Sequence, residues 1–436
     1  MKKRYNYGWI TSLMKPLLLV LLFGGILSTS FAQEREYLEG FYAVTRSDNQ
    51  IFIFNFNKDG TVIVTEKNSE DKDHKELKKY ELIGNTLTLH PIWDPGRIDY
   101  FYDVSITKGA DGLFKFSKAG LDYEIQKHSI WPAIMHTLFV LIALLIFNHL
   151  CRWSKWFVWA TCVLLPLYLT IYVWPITTVG TAVDTWFHVA KVWSALAGSV
   201  FFTLVRFTKL NNYKWAKFVV AAILVINIAE AVIRDFELGT GFGGIYHFLN
   251  GTAGILSIIT LSGWLTIKAD DSRFKDMVWP DMTLLWIIAY DVWNWSYICN
   301  CIPEHAVMGL IVLLGCTIPA FYKVGTWLQA RAYTLSAYMM YIMSGSRWIS
   351  HPLNNVLIPD NPTFIIILAM LSLGLNSYNA YVHFGMMIRR KAWGFGQPVL
   401  TPEEQAAITA TNKSFPHFLK LTYGQEKALS NSFIIK

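Results

Sequence analysis

Long apolar runs separated by short charged loops make up most of this chain, from residue 131 to residue 390. A run of about 20 apolar residues is long enough for an α-helix to cross the hydrocarbon core of a bilayer. Only 16% of all residues are charged, against about 25% in an ordinary soluble domain. The segments that meet the length requirement are 131–150, 156–176, 184–205, 216–234, 246–267, 281–301, 305–322, 328–348 and 362–388. We therefore predict an all-α membrane bundle of about nine transmembrane helices over residues 131–390.

The basic residues of this part of the chain occupy alternate loops and so indicate how the bundle is oriented. Lys and Arg are concentrated after the odd-numbered segments, for example at Arg389, Arg390 and Lys391 after the last one. Loops rich in Lys and Arg remain on the cytoplasmic side of a membrane. This rule predicts an odd number of spans and a cytoplasmic C-terminal tail over residues 391–436. It also accounts for the net charge of +7. Because the sequence has neither zinc-finger spacing nor a basic helix, we expect no nucleic-acid partner.

Residues 1–32 have the pattern of a secretory signal peptide. Residues 2–4 are basic, residues 17–27 are apolar, and residues 30–32 (Ser-Phe-Ala) offer small side chains at a cleavage site. An uncleaved anchor helix is the alternative, although the apolar run is shorter than a span requires. Export would place residues 33–130 outside the cytoplasm. We therefore predict a bacterial inner-membrane protein with a periplasmic domain.

Residues 33–130 have the composition of a soluble domain and the alternating pattern of β-strands. Residues 51–56 (IFIFNF) and 61–64 (TVIV) are rich in β-branched and aromatic residues and flank a Lys-Asp-Gly turn, which is typical of a hairpin. Together with residues 38–42 (LEGFY), this hairpin resembles the small lipocalin-like domains of exported bacterial proteins. The resemblance implies an all-β sandwich or partial barrel that either binds an amphiphile or docks an envelope protein partner.

Polar side chains interrupt five of the predicted transmembrane helices at a similar depth. They are Asp184, His188 and Lys191 on the third segment; Asn227, Glu230 and Arg234 on the fourth; His247 and Asn250 on the fifth; Asp291 and Asn294 on the sixth; and His305 at the start of the seventh. The ninth segment adds Asn376, Tyr378, Asn379 and His383, which lie deeper and would form a floor. Ionisable side chains are costly inside a bilayer and usually face a functional cavity. We therefore predict an intramembrane polar pocket that opens to the periplasmic side.

Several of these residues also have a simpler interpretation. Asp184, Arg234 and His305 lie close to the membrane surface, where water would solvate them. Glu230 and Arg234 have the spacing of an ion pair within one helix. Asp291 and Glu230 are flanked by apolar turns on both sides, which makes them the stronger candidates for a functional role.

The sequence contains side chains that bind metals but no compact metal motif. His188, His247 and His305, with a carboxylate from the fourth or sixth segment, have the chemistry to hold a divalent cation, yet no H-E-x-x-H pattern is present. Five cysteines are too few for a disulfide framework. For the C-x-C pair Cys299 and Cys301, packing and a redox or metal role both remain open. We therefore assign no metal, and the cofactor is unknown.

Residues 131–390 resemble an uncharacterised family of bacterial multi-pass membrane proteins, a domain of unknown function. The segments that carry the resemblance are 185–188 (TWFH), 233–236 (IRDF), 279–282 (WPDM), 290–294 (YDVWN), 303–306 (PEHA) and 316–321 (CTIPAF). The resemblance implies the polytopic fold and implies no activity.

Three classes of function are compatible with this pattern. The leading hypothesis is a carrier or sensor that binds a small or amphiphilic ligand in the polar pocket. The alternative is a membrane-embedded hydrolase or transferase that acts on a lipid or lipid-linked substrate, with His188, Glu230, His247 and Asp291 at its centre. A third class is a scaffold whose β domain docks an envelope partner. A cluster of three or more His and carboxylate groups within the reach of metal bonds would favour the enzyme, and a continuous polar path to the cytoplasmic face would favour transport.

Overall fold

The computed structural model describes residues 40–46, 51–56, 61–66, 74–83, 86–91, 104–108, 114–118, 121–127, 130–179, 181, 183–242, 244–302, 305–349, 356 and 362–410. The predicted signal peptide, residues 1–32, lies outside the described residues, as do residues 411–436 of the predicted tail.

Eight antiparallel strands form a closed barrel in the N-terminal part. The strands are β1 Gly40–Arg46, β2 Ile51–Phe56, β3 Thr61–Glu66, β4 His74–Ile83, β5 Thr86–Pro91, β6 Val104–Lys108, β7 Phe114–Lys118 and β8 Leu121–Lys127. Each strand pairs with the next, and β1 also pairs with β8, with Val44 opposite Ile125. The predicted sandwich or partial barrel is therefore a fully closed barrel in the described strands.

The interior of the barrel is filled by large side chains. Phe52, Phe54 and Phe56 alternate along β2 and are fully buried, as the two-residue period of a strand requires. Phe56 makes edge-to-face ring contacts with Tyr42 and Tyr80, with ring centroids 5.2 and 4.9 Å apart. An eight-stranded barrel is just wide enough for side chains to fill it. The alternating large side chains of the strands therefore fill the interior of the closed barrel.

A helical domain follows, with a helix over each of the nine predicted membrane segments. The helices are α1 Ile130–Trp153, α2 Lys155–Thr177, α3 Trp186–Phe207, α4 Lys214–Phe242, α5 Ile245–Ile259, α6 Leu284–Cys301, α7 Ala306–Tyr322, α8 Trp327–Ile349 and α9 Pro362–Arg390. A short helix, α10 Pro402–Thr409, comes after them.

Five of these helices are long and apolar enough to cross a membrane: α1, α2, α3, α4 and α9. Helices α5 and α7 are apolar but have only 15 and 17 residues. Helix α6 carries Asp291 and Asn294, and α8 carries Gln329 and Arg331, which lowers the mean hydropathy of both. The structure therefore shows a helical, membrane-compatible domain with five candidate spans in its described residues.

The fifth predicted segment, 246–267, ends earlier than expected. Helix α5 stops at Ile259, and Gly263 has a φ of +66°, a conformation that favours glycine. A two-stranded hairpin of β9 Lys268–Ala269 and β10 Met277–Val278 follows. Helix α6 begins at Leu284 rather than at residue 281, because the Thr283 side chain caps it by accepting from the Trp286 N–H. Asp281 therefore lies outside the helix.

Two apolar cores hold the helices together. One involves α4, α5, α6, α7, α8 and α9, and buries Trp286, Trp293 and Trp327. The other involves α1, α2, α3, α7 and α8. Within the first core, Gly254 lets α5 approach its neighbours closely, because a Cβ there would lie 2.7 Å from Trp293 Nε1 and would also meet Val232. Glycine is therefore required at this contact.

Arg206 ties the end of α3 to neighbouring segments. Its guanidinium donates to the carbonyls of Cys151 and Arg152 at the end of α1, at 2.9 and 2.6 Å, and to the carbonyl of Phe274 at 2.7 Å. It also donates to the Tyr333 hydroxyl at 2.8 Å. Carbonyls at a helix end lack partners within the helix. The sequence pattern placed Arg206 in a cytoplasmic loop, but its side chain is buried because these carbonyls surround it.

Candidate functional site

The hydrogen bonds and ion pairs of the described residues link the predicted pocket residues in three groups. One group lies at the start of α3 and on α4, a second between α4, α5 and α6, and a third between α6, α7 and α8. Asp184, Asn227 and Arg234 are exposed. The Asn227 side chain donates to the Ile223 carbonyl of its own helix at 2.9 Å. A single pocket formed by all the predicted residues therefore stays a prediction.

The first group is an ion pair beside a histidine. Lys191 Nζ lies 2.7 Å from Glu230 Oε1, and both side chains are about one-third exposed, at 35% and 38%. His188 Nδ1 lies 2.7 Å from the Thr185 hydroxyl, which caps the start of α3. Arg234 pairs with Glu237 at 3.1 Å. The alternative interpretation, an ion pair between Glu230 and Arg234, is therefore not what forms, since Glu230 pairs with Lys191 and Arg234 with Glu237.

The third group surrounds Asp291. Its Oδ2 accepts from the Thr317 hydroxyl at 2.5 Å, and Trp327 Nε1 donates to that same hydroxyl at 3.0 Å. Asn294 Oδ1 accepts from Arg331 at 3.4 Å. Asp291 Oδ1 is buried without a hydrogen-bond partner in the described part of the chain. Arg331 lies within α8, which begins at Trp327.

The second group is the most deeply buried and centres on Asp235, near the end of α4. Asp235 Oδ1 lies 2.9 Å from His247 Nδ1 and 3.7 Å from Cys301 Sγ, the donor in that contact. The other oxygen, Oδ2, accepts from Asn250 Nδ2 at 2.8 Å. Asn250 Oδ1 in turn accepts from the Ser372 hydroxyl of α9 at 2.9 Å. We call Asp235, His247 and Cys301 the acid–imidazole–thiol cluster.

Asp235 was missed as a candidate, although His247 and Asn250 were predicted. Its position in the segment 233–236 (IRDF) resembled a charged helix end, and its neighbour Arg234 is exposed. Asp235 itself is fully buried. The two thiols of the C-x-C pair have different neighbours: Cys301 contacts Asp235, whereas Cys299 packs with Ala306 and Leu368. A shared redox or metal role for this pair is therefore not supported.

A cavity of about 200 Å³ lies at the opposite end of α5. It is enclosed by the end of α5, the start of α6, the last third of α9 and the segment before α10. Its apolar lining includes Trp279, Met282, Leu284, Trp286, Val382 and Met386, and its polar lining includes Thr260, Ser262, Asp281, Asn379, His383 and Glu404. Ile288 and Tyr378 also line it and are exposed on the outer surface of the helices. We call it the α6–α9 cavity.

Asp281 and His383 both line this cavity but differ in the number of hydrogen bonds that they make. Asp281 accepts from the Ser262 hydroxyl at 2.5 Å and from the backbone N–H of Leu400 at 2.8 Å. Burial raises the pKa of the Asp281 carboxyl, although these hydrogen bonds act in the opposite direction. The imidazole of His383 makes no hydrogen bond within the described residues and is 8% exposed. His383 is therefore free to bind a polar group inside the cavity.

A hydrogen-bonded seam between α5 and α9 joins the two ends. At the Asp235 end, Asn250 Nδ2 donates to Asp235 Oδ2 at 2.8 Å, and Ser372 Oγ donates to Asn250 Oδ1 at 2.9 Å. In the middle, Asn376 Nδ2 donates to the Ser372 carbonyl at 2.9 Å, and Asn376 Oδ1 accepts from Ser257 Oγ at 2.7 Å. At the other end, Thr260 Oγ1 donates to the Ser257 carbonyl at 3.2 Å and accepts from Asn379 Nδ2 at 3.0 Å. These side chains are buried. The seam therefore connects the acid–imidazole–thiol cluster to the α6–α9 cavity. The ninth-segment residues expected to form a floor instead belong to this seam and to the cavity.

An ion cluster lies near the hairpin that precedes α6. Asp276 is fully buried and accepts from Arg152 Nε and Nη2 at 2.9 and 2.8 Å. Gln329 donates to the same carboxylate at 3.0 Å. Burial alone would raise the pKa of Asp276, but the Arg152 hydrogen bonds and charge outweigh it, so the pKa is lowered. Lys323 also pairs with Asp270 at this end. The bidentate ion pair between Arg152 and Asp276, together with the Gln329 hydrogen bond, fixes the hairpin against α1 and α8.

Comparison with known proteins gives one match. A family model described as a family of unknown function (DUF5692) matches residues 127–407, which includes the whole helical domain and the start of the segment after it. No characterised protein and no solved structure matches the chain. The matched region contains both the acid–imidazole–thiol cluster and the α6–α9 cavity.

Proposed function

This chain belongs to the DUF5692 family, whose function is unknown, and from that premise we propose that it is a membrane protein that binds a small amphiphilic ligand in the α6–α9 cavity. The observation that carries the proposal is the cavity itself, which is mostly apolar and contains a buried histidine without a hydrogen-bond partner in the described residues. Ligand sites usually combine an apolar lining with a few polar groups that orient the ligand.

The lining of the cavity fits an amphiphile better than a fully polar solute. Trp279, Trp286 and Met386 present apolar surface, while His383 and Asn379 supply polar atoms at one side. Ile288 and Tyr378 line the cavity and are exposed on the outer surface of the helices, which would face lipid in a membrane. A molecule with an apolar tail and a polar head would therefore reach the cavity from within the bilayer.

The cavity lies at the end of the helices opposite to the predicted pocket. The polar pocket was expected where α4 ends and α5 begins, whereas the cavity lies where α5 ends and α6 begins. The seam from Asp235 to Asn379 is a contiguous hydrogen-bonded network between the two ends, and networks of this kind are among the structures that can carry coupling between two sites, which supports a carrier or a sensor. Carrier and sensor share the same binding step.

We further propose a topology for this function. All nine helices α1–α9 would cross a bacterial inner membrane, with residues 1–32 as a signal peptide, the barrel in the periplasm as a lipocalin-like domain, and the C-terminus in the cytoplasm. The alternating distribution of Lys and Arg supports this orientation. The α6–α9 cavity would then lie toward the cytoplasmic side. The lipid bilayer is the first partner, and the barrel is available to an envelope protein.

A membrane-embedded enzyme acting on a lipid or lipid-linked substrate is the second candidate. One observation favours it: Asp235, His247 and Cys301 bring an acid, an imidazole and a thiol within 4.8 Å of one another. His188, Glu230 and Asp291, which were predicted to share a centre with His247, belong to other groups. An enzyme would therefore be centred on the acid–imidazole–thiol cluster.

Binding of a dansyl-labelled fatty acid to the detergent-purified full chain tests the proposal. Val382 lines the cavity and is buried, so Val382→Trp would fill the space and weaken binding at least about tenfold. His383→Ala would remove one hydrogen bond to the polar head and weaken binding by roughly 3–10-fold. The fluorescence increase of the dansyl group on binding gives the affinity.

The matched control is Ile388→Trp, a substitution of the same type on the same helix. Ile388 is exposed and lies outside the cavity lining, so its replacement should leave probe affinity unchanged. Equal thermal stability of the three variants would establish that they are folded. Undiminished binding to folded Val382→Trp would refute the proposed function.

A further inference from the structure

We propose that Asp235, His247 and Cys301 form a binding site for a divalent transition metal, with Zn²⁺ as the best match. The three side chains come from α4, α5 and α6, so only the folded domain brings them together. Their ligand atoms all lie within 4.8 Å of one another. Carboxylate oxygen, imidazole nitrogen and thiolate sulfur are the ligands that proteins use for zinc.

The distances within the cluster are close to those of a tetrahedral zinc site. Metal–ligand bonds of about 2.0–2.3 Å at tetrahedral angles separate neighbouring ligand atoms by roughly 3.3–3.7 Å. Asp235 Oδ1 lies 2.9 Å from His247 Nδ1 and 3.7 Å from Cys301 Sγ. An increase of a few tenths of an ångström between the first two atoms would be enough to admit the ion.

The contact pattern favours a metal site over a nucleophilic triad. In a catalytic triad the imidazole lies between the nucleophile and the carboxylate. Here the imidazole of His247 and the thiol of Cys301 both contact the same oxygen of Asp235. Three ligand atoms that converge on one point match the geometry of a shared cation.

The polar groups behind the cluster fix the carboxylate in position. Asp235 Oδ2 accepts from Asn250 Nδ2 at 2.8 Å, and Ser372 donates to Asn250 Oδ1 at 2.9 Å. Outer hydrogen bonds of this kind orient metal ligands and raise metal affinity. Oδ1 is therefore held facing His247 and Cys301, where the ion would bind.

Charge balance also suits a divalent cation in this buried place. Asp235 is fully buried and His247 is 4% exposed. A carboxylate and a thiolate together cancel the two charges of Zn²⁺, and the imidazole is neutral, so the occupied site carries no net charge. Burying an uncompensated charge is costly. Binding would release the proton of the Cys301 thiol, so apparent affinity should fall about tenfold per pH unit as the pH is lowered.

Three protein ligands leave one coordination position open, as in zinc sites that bind water or a substrate. Cys301 is only partly buried and lies at the end of α6, whereas the other two ligands are buried. The open position therefore faces the Cys301 side of the cluster. This site and the α6–α9 cavity lie at opposite ends of α5, so each can be tested without the other.

Titration of the metal-free, detergent-purified full chain with Co²⁺ tests the site, because cobalt bound to a thiolate gives a characteristic charge-transfer absorption band. We expect the band to saturate at about one ion per chain and to disappear when Zn²⁺ is added. Cys301→Ser should abolish the band. Asn250→Ala should weaken Co²⁺ binding by roughly 10–100-fold through the lost hydrogen bond to Asp235.

Cys299→Ser is the matched control, because its thiol is two residues away and packs with Ala306 and Leu368. It should bind Co²⁺ with an unchanged band and affinity. Zn²⁺ should also raise the Tm of the wild type and of Cys299→Ser but not that of Cys301→Ser. Absence of the band in folded wild-type protein, or its retention in Cys301→Ser, would overturn the proposal. Binding of the dansyl-labelled fatty acid should be the same in Cys301→Ser, Cys299→Ser and the wild type, which separates this result from the proposed function.

Discussion

At the scale of single residues, two arginines each make several polar contacts in this domain. Arg206 is buried and binds three backbone carbonyls in two segments, and the half-buried Arg152 binds the Asp276 carboxylate with two nitrogens. Arginine suits such sites because its planar guanidinium donates several hydrogen bonds in fixed directions. A lysine at either position would satisfy fewer of these acceptors.

Asp276→Asn should destabilise the helical domain by about 3 kcal/mol, because it leaves Arg152 near a neutral amide within a largely buried pair. The thermal unfolding midpoint of the detergent-purified protein at pH 7 measures the effect. Glu403→Gln is the control, since Glu403 is exposed on α10 and its neutralisation should not change the midpoint. Equal midpoints for Asp276→Asn and the wild type would contradict the assigned role of the pair.

The same pair predicts how stability depends on pH. Burial opposes ionisation of Asp276, but Arg152 outweighs it and the pKa in the folded state is lowered. A lowered folded-state pKa stabilises the protein above the unfolded-state pKa of about 4, and this contribution is lost as the pH falls through the folded-state value. The wild type should therefore lose stability below about pH 4, and its advantage over Asp276→Asn should shrink there. A constant difference between the two proteins from pH 7 to pH 3 would contradict this.

At the scale of secondary-structure elements, close contact between α4, α5 and α6 depends on Gly254. A Cβ at this position would meet Val232 on α4 and would lie 2.7 Å from Trp293 Nε1 on α6. Trp293 Nε1 donates to the Asn250 carbonyl at 3.0 Å. The glycine therefore permits both the helix packing and a hydrogen bond next to the acid–imidazole–thiol cluster.

Gly254→Ala should lower stability by about 1–3 kcal/mol, because the added methyl group forces α5 away from its neighbours. Gly374→Ala is a matched control in the middle of α9, where a Cβ would meet nothing within 4 Å. Alanine is the better helix former by about 1 kcal/mol, so this control should be neutral or stabilising. Unfolding of both variants in detergent gives the comparison, and a similar loss in both would show that close packing at Gly254 is unimportant.

The positions of the helices could be predicted from the sequence, but several of their ends and contacts could not. Apolar run length is a local property, so each predicted segment coincides with a helix. The early end of α5 depends on Gly263, whose added Cβ would collide with Asp281, a residue 18 positions further along the chain. Short-range patterns contain no information about such a contact.

The candidate sites were predicted only in part, and for the same reason. Asn250 and His247 were identified because they interrupt an apolar run. Asp235 was not, because its neighbour Arg234 made the segment resemble a solvated helix end. Arg331 contacts Asn294, 37 residues earlier in the chain, and no local pattern indicated this contact. Pairing between distant elements decides which polar residues are buried together, and single-sequence patterns do not reveal it.

At the scale of the whole molecule, the alternating basic loops predict that the C-terminus lies in the cytoplasm. A green fluorescent protein fused after Lys436 should therefore be fluorescent, whereas alkaline phosphatase at the same place should be inactive, because the first folds in the cytoplasm and the second needs export. The reverse pattern would contradict the proposed odd number of spans. Expression of both fusions at equal levels is the control.

The closed barrel limits how the N-terminal domain can associate with other proteins. Because β1 pairs with β8, each described strand has a neighbour on both sides. Among the described strands a partner therefore finds no free edge to extend. This excludes recognition by strand addition at these strands, because that mode uses backbone hydrogen bonds along a free edge. Any envelope protein that docks here must contact side chains on the outer surface or at the rims of the barrel. Recognition would therefore depend on the surface residues of the barrel rather than on its backbone.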